Sequence, residues 1–423
     1  MTHLLENLLK QYGNIIKNSF FLTVVDGIKL LLPFVAMPYI IRVCGVENYG
    51  KIIFAQTVIT YFTIVVNFGL NIYTVREVAR NAGDASAISR LASSFITLRL
   101  LLIAAGFAVL WLMVLFVPFM QQFKVLLFYA FIAVAAEAFT MTAFYQGMEK
   151  MHNIAILQFV AIIFYLVMLF VFVRSAGVYE RVVLFQSTGL LIASLLGVVM
   201  LCTKYKVRLA LPQMSALKEM VKGSIPFALS RVALVINGNV AKLFAGIALG
   251  MHELAVLDVA QKIAEAAKLP VNIADQAIYP HNARKKDHLF ATRTFWLMLL
   301  LGCVCAALMA LGNTTAVNFF GHGKLDAAVP LIYILTAKVI LNAVNLYCGT
   351  PVLVAFGYAK HFNMSTIYSA LLTIVLYTGC YLFGILSLNM VIAIMIFDSF
   401  FAAAYRLYYC LKYKLLLLKG NEP

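Results

Sequence analysis

Twelve stretches of this chain stay apolar for about 20 residues or more, the length a helix needs to cross the hydrocarbon core of a bilayer. They cover residues 18–41, 52–73, 91–117, 125–146, 154–173, 182–203, 224–249, 254–280, 295–319, 328–356, 362–383 and 387–411. Inside lipid, each backbone N–H and C=O must be satisfied within the protein, so stretches of this length fold as helices. Composition agrees: charged residues are 12% and hydrophobic residues 63% of the chain, whereas a soluble domain carries about 25% charge. The expected fold class is all-α, a polytopic membrane protein of about twelve transmembrane helices. The first stretch is too long for a cleaved signal peptide and carries Asp26, Lys29, Pro33 and Pro38, so it is expected to remain as a span.

Basic residues orient the chain. With the N-terminus placed in the cytoplasm, 21 of the 33 Lys and Arg fall at cytoplasmic ends and loops, Arg99 among them, and 6 on the opposite side. The other six, Lys29, Arg231, Lys242, Lys262, Lys268 and Lys338, lie within spans. This asymmetry predicts cytoplasmic termini. It also accounts for the net charge of +16 through basic loops resting on anionic lipid head groups, with no nucleic-acid partner. The seven cysteines and seven histidines show no Cys-x-x-Cys or His-x3-His spacing, so neither a disulfide framework nor a metal site is expected.

The chain also reads as two copies of one unit. A shift of 205 residues lays Gly45, Ala55, Gln56 and Asn67 on Gly250, Ala260, Gln261 and Asn272, and a shift of 210 lays Gly147, Lys150 and Asn153 on Gly357, Lys360 and Asn363. Expected domains are therefore a six-helix half over 1–205, a basic cytoplasmic linker over 206–222 and a second six-helix half over 223–423. Parallel repeats of this kind suit alternating access around a central cavity.

Polar residues mark the faces expected to line that cavity. Gln56, Thr60, Thr63, Asn67, Asn71 and Thr74 recur at helical spacing in the second span, and Gln261, Glu265, Lys268, Asn272 and Gln276 do so in the eighth. Stripes of Asn and Thr more often serve as hydrogen bonds between helices than as ligand contacts. Acid–base neighbours such as Asp26/Lys29, Asp258/Lys262 and Glu265/Lys268 can neutralise each other. Arg42, Lys222 and Arg406, near span ends, are expected to snorkel to the interface. Arg231, Lys242 and Lys338, however, have no acid at helical spacing in their own spans. Uncommitted cations in a low-dielectric site suit an anionic group such as a diphosphate. The candidate substrate contacts are Arg231, Lys242, Lys338, Lys29, Asp26 and Lys262. Glu137, Asp26 and Asp258 are the candidates for ion coupling, Glu137 foremost because no base lies within helical reach in its own span.

The string PYIIRVCGVENYG, followed by FAQT, then YQGMEKM at the end of the fourth span and QAIYP at the end of the eighth, resembles the O-antigen (Wzx-type) polysaccharide flippases of the multidrug/oligosaccharidyl-lipid/polysaccharide exporter superfamily. Pro38, Tyr39, Arg42, Gly45, Glu47, Asn48 and Gly50 carry the first motif, and Gln146, Gly147, Glu149 and Lys150 the second. The seventh and eighth spans lack the first motif, so the halves are not expected to have equal roles. The resemblance implies a bacterial inner-membrane flippase, not an enzyme, that moves undecaprenyl-diphosphate-linked oligosaccharide repeat units to the periplasmic face. It implies no cofactor, with membrane lipids as surroundings and the pathway's polymerase and chain-length regulator as partners. Outward movement of a diphosphate runs down the membrane potential by about 2.3 kcal/mol per charge per 100 mV, so a potential or an H+ or Na+ gradient could drive it. A multidrug exporter of the same superfamily is the alternative. A membrane polymerase or acyltransferase is disfavoured, because the longest extracytoplasmic loop covers only about residues 312–326.

Reporter fusions test the orientation. Fusions after Gly45 or Gly321 should read periplasmic, and those after Gly83 or Met214 cytoplasmic. The same side on both flanks of any one span would break the twelve-span assignment.

Overall fold

The computed structural model describes residues 27–28, 31–81, 83–321 and 323–416, and the side chains of 226–227 and 229–237 lie outside that description. The chain is an all-α polytopic membrane protein. Its helices are α1 (Leu31–Cys44), α2 (Val46–Asn67), α3 (Leu70–Arg80), α4 (Ala85–Phe116), α5 (Pro118–Gln121), α6 (Lys124–Glu137), α7 (Thr142–Gly147), α8 (Met151–Phe172) and α9 (Glu180–Lys204), then α10 (Met214–Ala248), α11 (Met251–Ala267), α12 (Leu269–Lys285), α13 (His288–Leu311), α14 (Asn313–Gly321), α15 (Ala328–Tyr347), α16 (Ala359–Leu382) and α17 (Leu388–Lys412). Among the described residues, nine helical segments are long and apolar enough to cross a membrane. The other expected spans fall on α1, which is apolar but short, on α10, and on the α11–α12 pair with its charged residues.

The chain divides into two compact units, Met1–Val232 and Ala233–Pro423. In the first, Leu70, Phe95, Phe144, Tyr145, Leu201 and Met220 meet in one buried cluster. In the second, buried Val339, Tyr347, Leu353 and Ile392 bring together α15, the turn after it and α17. The division falls inside α10, beyond the basic segment 206–222.

Local geometry shows the internal repeat more clearly than residue identity does. Gly45 and Gly250, which precede α2 and α11, have φ/ψ of 86/163° and 100/174°, a region open essentially to glycine alone. Asp84 and Asp287 cap α4 and α13, each accepting from the N–H groups two and three residues on at 2.9 and 3.0 Å. The Phe290 and Leu289 N–H groups hold the Asp287 carboxyl below its ordinary range.

From the fourth span of each half onward the register is 208 residues, correcting the 210 read from Gly147 and Gly357. Glu149 (φ 58°) and Gly357 (φ 99°) are the left-handed residues, and Lys150 N–H to Tyr145 C=O matches Tyr358 N–H to Leu353 C=O, both at 2.7 Å. These are Schellman endings. Asn153 bonds the Tyr205 hydroxyl at 2.7 Å, and His361 bonds that of Tyr413 at 3.0 Å. Lys206 and Lys414 follow with φ of 55° and 52°.

The same geometry explains the two recognisable strings. Gly45 makes the corner between α1 and α2, and Asn48 donates to the Cys44 carbonyl at 3.0 Å, satisfying a helix-end acceptor. Tyr39 reaches the Val173 carbonyl at 2.8 Å. A Cβ on Gly147 would lie 2.7 Å from Val78 Cβ, so that glycine lets α7 approach α3. The strings thus build corners and helix endings.

Gly45→Ala and Gly250→Ala should each destabilise the fold by about 1–3 kcal/mol, the cost of forcing a side chain into that backbone region. A thermal melt of each purified variant should show a clear loss relative to Gly27→Ala, whose added Cβ meets nothing within 4 Å.

Candidate functional site

Four of the expected spans are broken, and polar side chains gather at the breaks. The second span bends at Phe68 (φ 32°) and Gly69 (φ 69°), and α6 stops at Glu137 before α7 begins at Thr142. In the second unit, α11 and α12 meet at Lys268, and a π-helical turn over Cys348–Val354 follows α15. Each break leaves carbonyls without their helical partners.

In the first unit Arg99, near the middle of α4, is fully buried. It donates to the side-chain oxygens of Asn67 and of Asn71, the latter at 2.8 Å, and to the Glu137 carbonyl. It also pairs with the Glu137 carboxylate at 3.4 Å and lies over Phe95. Two readings of the sequence change here. Arg99 does not sit at a cytoplasmic end, and Glu137, without a base in its own span, has one from α4. Two further residues of the second-span stripe are hydrogen-bonded. Gln56 donates to Gln186 at 2.6 Å, and Thr60 bonds back to the Gln56 carbonyl at 2.8 Å. Thr74 is fully buried, and its hydroxyl has no hydrogen-bond partner among the described residues.

The second unit holds a cationic cluster. Asp258 on α11, 1% exposed, receives Lys242 of α10 at 2.6 Å on one oxygen and Lys262 at 2.7 Å on the other. Lys242, which has no acid in its own span, finds one on the next helix, because a buried cation is stable only when paired. One carboxylate between two lysines leaves one positive charge over. Lys338 on α15 makes no hydrogen bond or ion pair among the described residues, and Lys268, Asp398 and Glu265 act on it only at a distance. Asp398 of α17 accepts from Ser369 and, at 2.9 Å, from Thr373. Glu265 and Lys268 do not pair as their spacing suggested, and Glu265 is exposed.

Arg406 does not snorkel. It is 8% exposed and donates to the Asn345 carbonyl at 2.9 Å, to Ser365 at 2.8 Å and to Thr366 at 3.1 Å. Asp26 and Lys29 lie outside the described residues, and so does the side chain of Arg231, whose backbone is part of α10. Lys242, Lys262 and Asp258 come together, Lys338 lies within electrostatic reach of Lys242, and Glu137 belongs to the first unit. The π-helical turn was not foreseen, although Gly349-Thr350-Pro351 inside an apolar span signals a break. Among the described residues no group of three His, Cys, Asp or Glu side chains converges to hold a metal.

Residues 15–286 match the family model described as "Polysaccharide biosynthesis protein". A protein of Escherichia coli K12 named "Putative O-antigen transporter" is 22% identical over 367 residues, covering 85% of this chain and 88% of that one. A protein of the same name from Shigella dysenteriae is 23% identical, covering 72% and 78%. The fold is that of solved transporters. An inward-facing multidrug resistance MATE family transporter of the MOP superfamily superposes with a TM-score of 0.67 at 15% identity, over 90% of this chain and 98% of that one. A MOP superfamily transporter from Pyrococcus furiosus, described as having a binding pocket of reverse polarity, gives 0.54 at 15% identity, over 91% and 95%.

Arg99→Leu should destabilise the first unit by about 3–5 kcal/mol, because it leaves the Glu137 carboxylate buried without its cation. Arg99→Leu combined with Glu137→Leu should recover part of that loss. Melting temperatures of the single and double variants measure both effects.

Proposed function

This chain belongs to the family of polysaccharide biosynthesis proteins, and from that membership we propose that it is a flippase for lipid-linked oligosaccharides. Its substrate would be an undecaprenyl-diphosphate-linked O-antigen repeat unit, carried from the cytoplasmic to the periplasmic face of the inner membrane by alternating access. No covalent chemistry is assigned to it. The observation behind this reading is the charge surplus in the second unit, with Asp258 shared by Lys242 and Lys262 and Lys338 in no ion pair among the described residues. A diphosphate would satisfy that surplus through charge-assisted hydrogen bonds, which are strongest out of water. Arg231 is kept as a proposed substrate contact because its planar donor fork suits a diphosphate.

Release then needs something to weaken the attraction. The membrane potential favours outward movement of the diphosphate, and exchange of an H+ or Na+ at an acid of the protein is the other candidate drive. Asp258 and Glu137 each already hold a base, which makes them weaker carriers than their sequence context suggests.

A multidrug exporter shares this fold. A cluster with more bases than acids would repel a cationic drug, which favours the anionic substrate.

Lys338→Ala, Lys242→Ala and Arg231→Ala should each abolish surface polysaccharide while membrane abundance and size-exclusion profile stay normal. Lys in place of Arg231 should restore it only in part, because the bidentate geometry is lost. Full surface polysaccharide in all three Ala variants would remove the cationic site from the mechanism.

A further inference from the structure

Among the described acids buried or half-buried in the spans, Asp275 differs from the rest. Glu137 is paired with Arg99, Asp258 is held by two lysines, and Asp398 accepts from two hydroxyls. Asp275 is 7% exposed, and its Oδ1 has no hydrogen-bond partner among the described residues. Its Oδ2 has only the Thr350 hydroxyl, at 3.5 Å, beyond the normal range for an O–H donor.

The surroundings of Asp275 are unusual in the backbone as well. Asn282 lies two turns further along α12, on the same face, and its Nδ2 donates to the Pro351 carbonyl at 2.9 Å. Both side chains therefore meet the π-helical turn Cys348–Val354, at adjacent residues Thr350 and Pro351. Pro351 has no N–H to give to that turn. Single π-turns within α-helices occur frequently at functional sites, and unwound backbone within transporter spans is where Na+ and H+ are held.

Among the described residues, no charged group pairs with Asp275. The elements packed against α12 are α11, α13, α15 and the π-helical turn. Their charged or titratable groups are His252, Glu253, Asp258, Lys262 and Glu265 on α11, His288, Arg293, Cys303 and Cys305 on α13, Tyr333, Lys338 and Tyr347 on α15, and Cys348 in the turn. Tyr279, His281, Arg284 and Lys285 share α12 itself, and Lys268 precedes it. None of the basic groups in this set forms an ion pair with Asp275, and Tyr347 donates to the Ala291 carbonyl at 2.7 Å. A buried carboxylate with neither a cation nor a full set of donors does not stay charged, and it neutralises by taking up a positive charge.

We propose that Asp275, facing the π-helical turn at Thr350–Pro351, is a monovalent-cation site loaded by a proton or a sodium ion, and that it is this chain's exchangeable acid in place of Glu137 or Asp258. The loading stands on geometry alone, and its use to drive substrate movement rests on the flippase reading. Taking up the cation would leave Asp275 neutral. Giving it up would leave a bare carboxylate that draws on the Thr350 hydroxyl, so loading and the shape of the turn are linked. Thr350 is therefore a positioning residue for Asp275.

The test uses the purified full-length protein in lipid nanodiscs, with no lipid-linked sugar present, so its failure is distinct from failure of the flippase reading. Infrared difference spectra report a protonated carboxyl through its carbonyl stretch. Thermal melts in NaCl against choline chloride at equal ionic strength report sodium. If a proton loads the site, wild type at neutral pH shows a protonated-carboxyl band that Asp275→Asn loses and Glu137→Gln keeps. If sodium loads it, wild type melts higher in NaCl than in choline chloride, and Asp275→Asn removes that difference. Asp275→Glu, which keeps a carboxyl, should preserve whichever signal wild type gives, and guards against a folding artefact. A folded Asp275→Asn protein with wild-type spectra and a wild-type sodium response would overturn the proposal.

Discussion

An arginine with no exposure at membrane depth dictates its own surroundings. Arg99 must have its charge balanced and its donors met from within the protein, because lipid offers neither; its two terminal nitrogens find acceptors, while its Nε has none among the described residues. It draws Asn67 and Asn71 from the two sides of the α2–α3 break, and the carboxylate and carbonyl of Glu137 from the end of α6. The breaks supply carbonyls without helical partners, and the arginine supplies donors without water. Arg406 answers the same need in the second unit by donating to the Asn345 carbonyl. Asn345 stands 208 residues after Glu137, in the register that also relates Glu149 to Gly357 and Tyr205 to Tyr413. Yet Arg99 comes from the third span of its half and Arg406 from the last. The acceptor position is repeated and the donor is not, so it is the interrupted fourth span that the repeat imposes.

The two units use this common frame for different chemistry. In the first, the described intramembrane charges are balanced where they stand, Glu137 against Arg99, and the polar stripe bonds neighbouring helices. In the second, among the described residues, two lysines share one aspartate, a third lysine is in no ion pair, and one aspartate has no cation beside it. Buried charges that hold each other in pairs are structural by default, whereas charges left over within a span are available to a ligand. The charge asymmetry of the halves thus lies in a few side chains, on scaffolds that share their corners and caps.

Much of the scaffold was legible in the sequence because long apolar runs, glycine corners and capping aspartates act locally. The shift of 205 residues found Gly45 and Gly250, and both adopt the same glycine-only backbone. The site was less legible because pairing of charges is a tertiary matter. Lys242 looked free when only its own helix was read, and its partner Asp258 is 16 residues away on the next one. Glu137 reads as free for the same reason, and Arg99, 38 residues earlier, reads as a charge at a cytoplasmic end although it is fully buried. Rules of i, i+3 and i, i+4 spacing recovered Asp258–Lys262 and wrongly suggested Glu265–Lys268. The shift of 210 failed because Gly147 and Gly357 differ in role. Gly147 admits a close helix contact, while Gly357 is the left-handed residue of a helix ending.

Side-chain ties across helix breaks also set how easily such a protein can change shape. A backbone ladder is cooperative, so bending an intact helix disrupts several bonds at once. At the α2–α3 break, the tie between α2 and α3 is Arg99 bonding Asn67 on one side and Asn71 on the other, so a change in that angle would cost one such bond. A hydrogen bond to a charged group is worth about 1.5–3 kcal/mol. Two states separated by a few kcal/mol keep the minor one populated at roughly 0.1–10%. A tie of this size holds one arrangement as the ground state and still leaves another within reach of thermal motion. A carboxylate retained at the same arginine keeps the cation balanced in either arrangement, so the cost of moving is that of one exchanged bond and not that of an exposed charge.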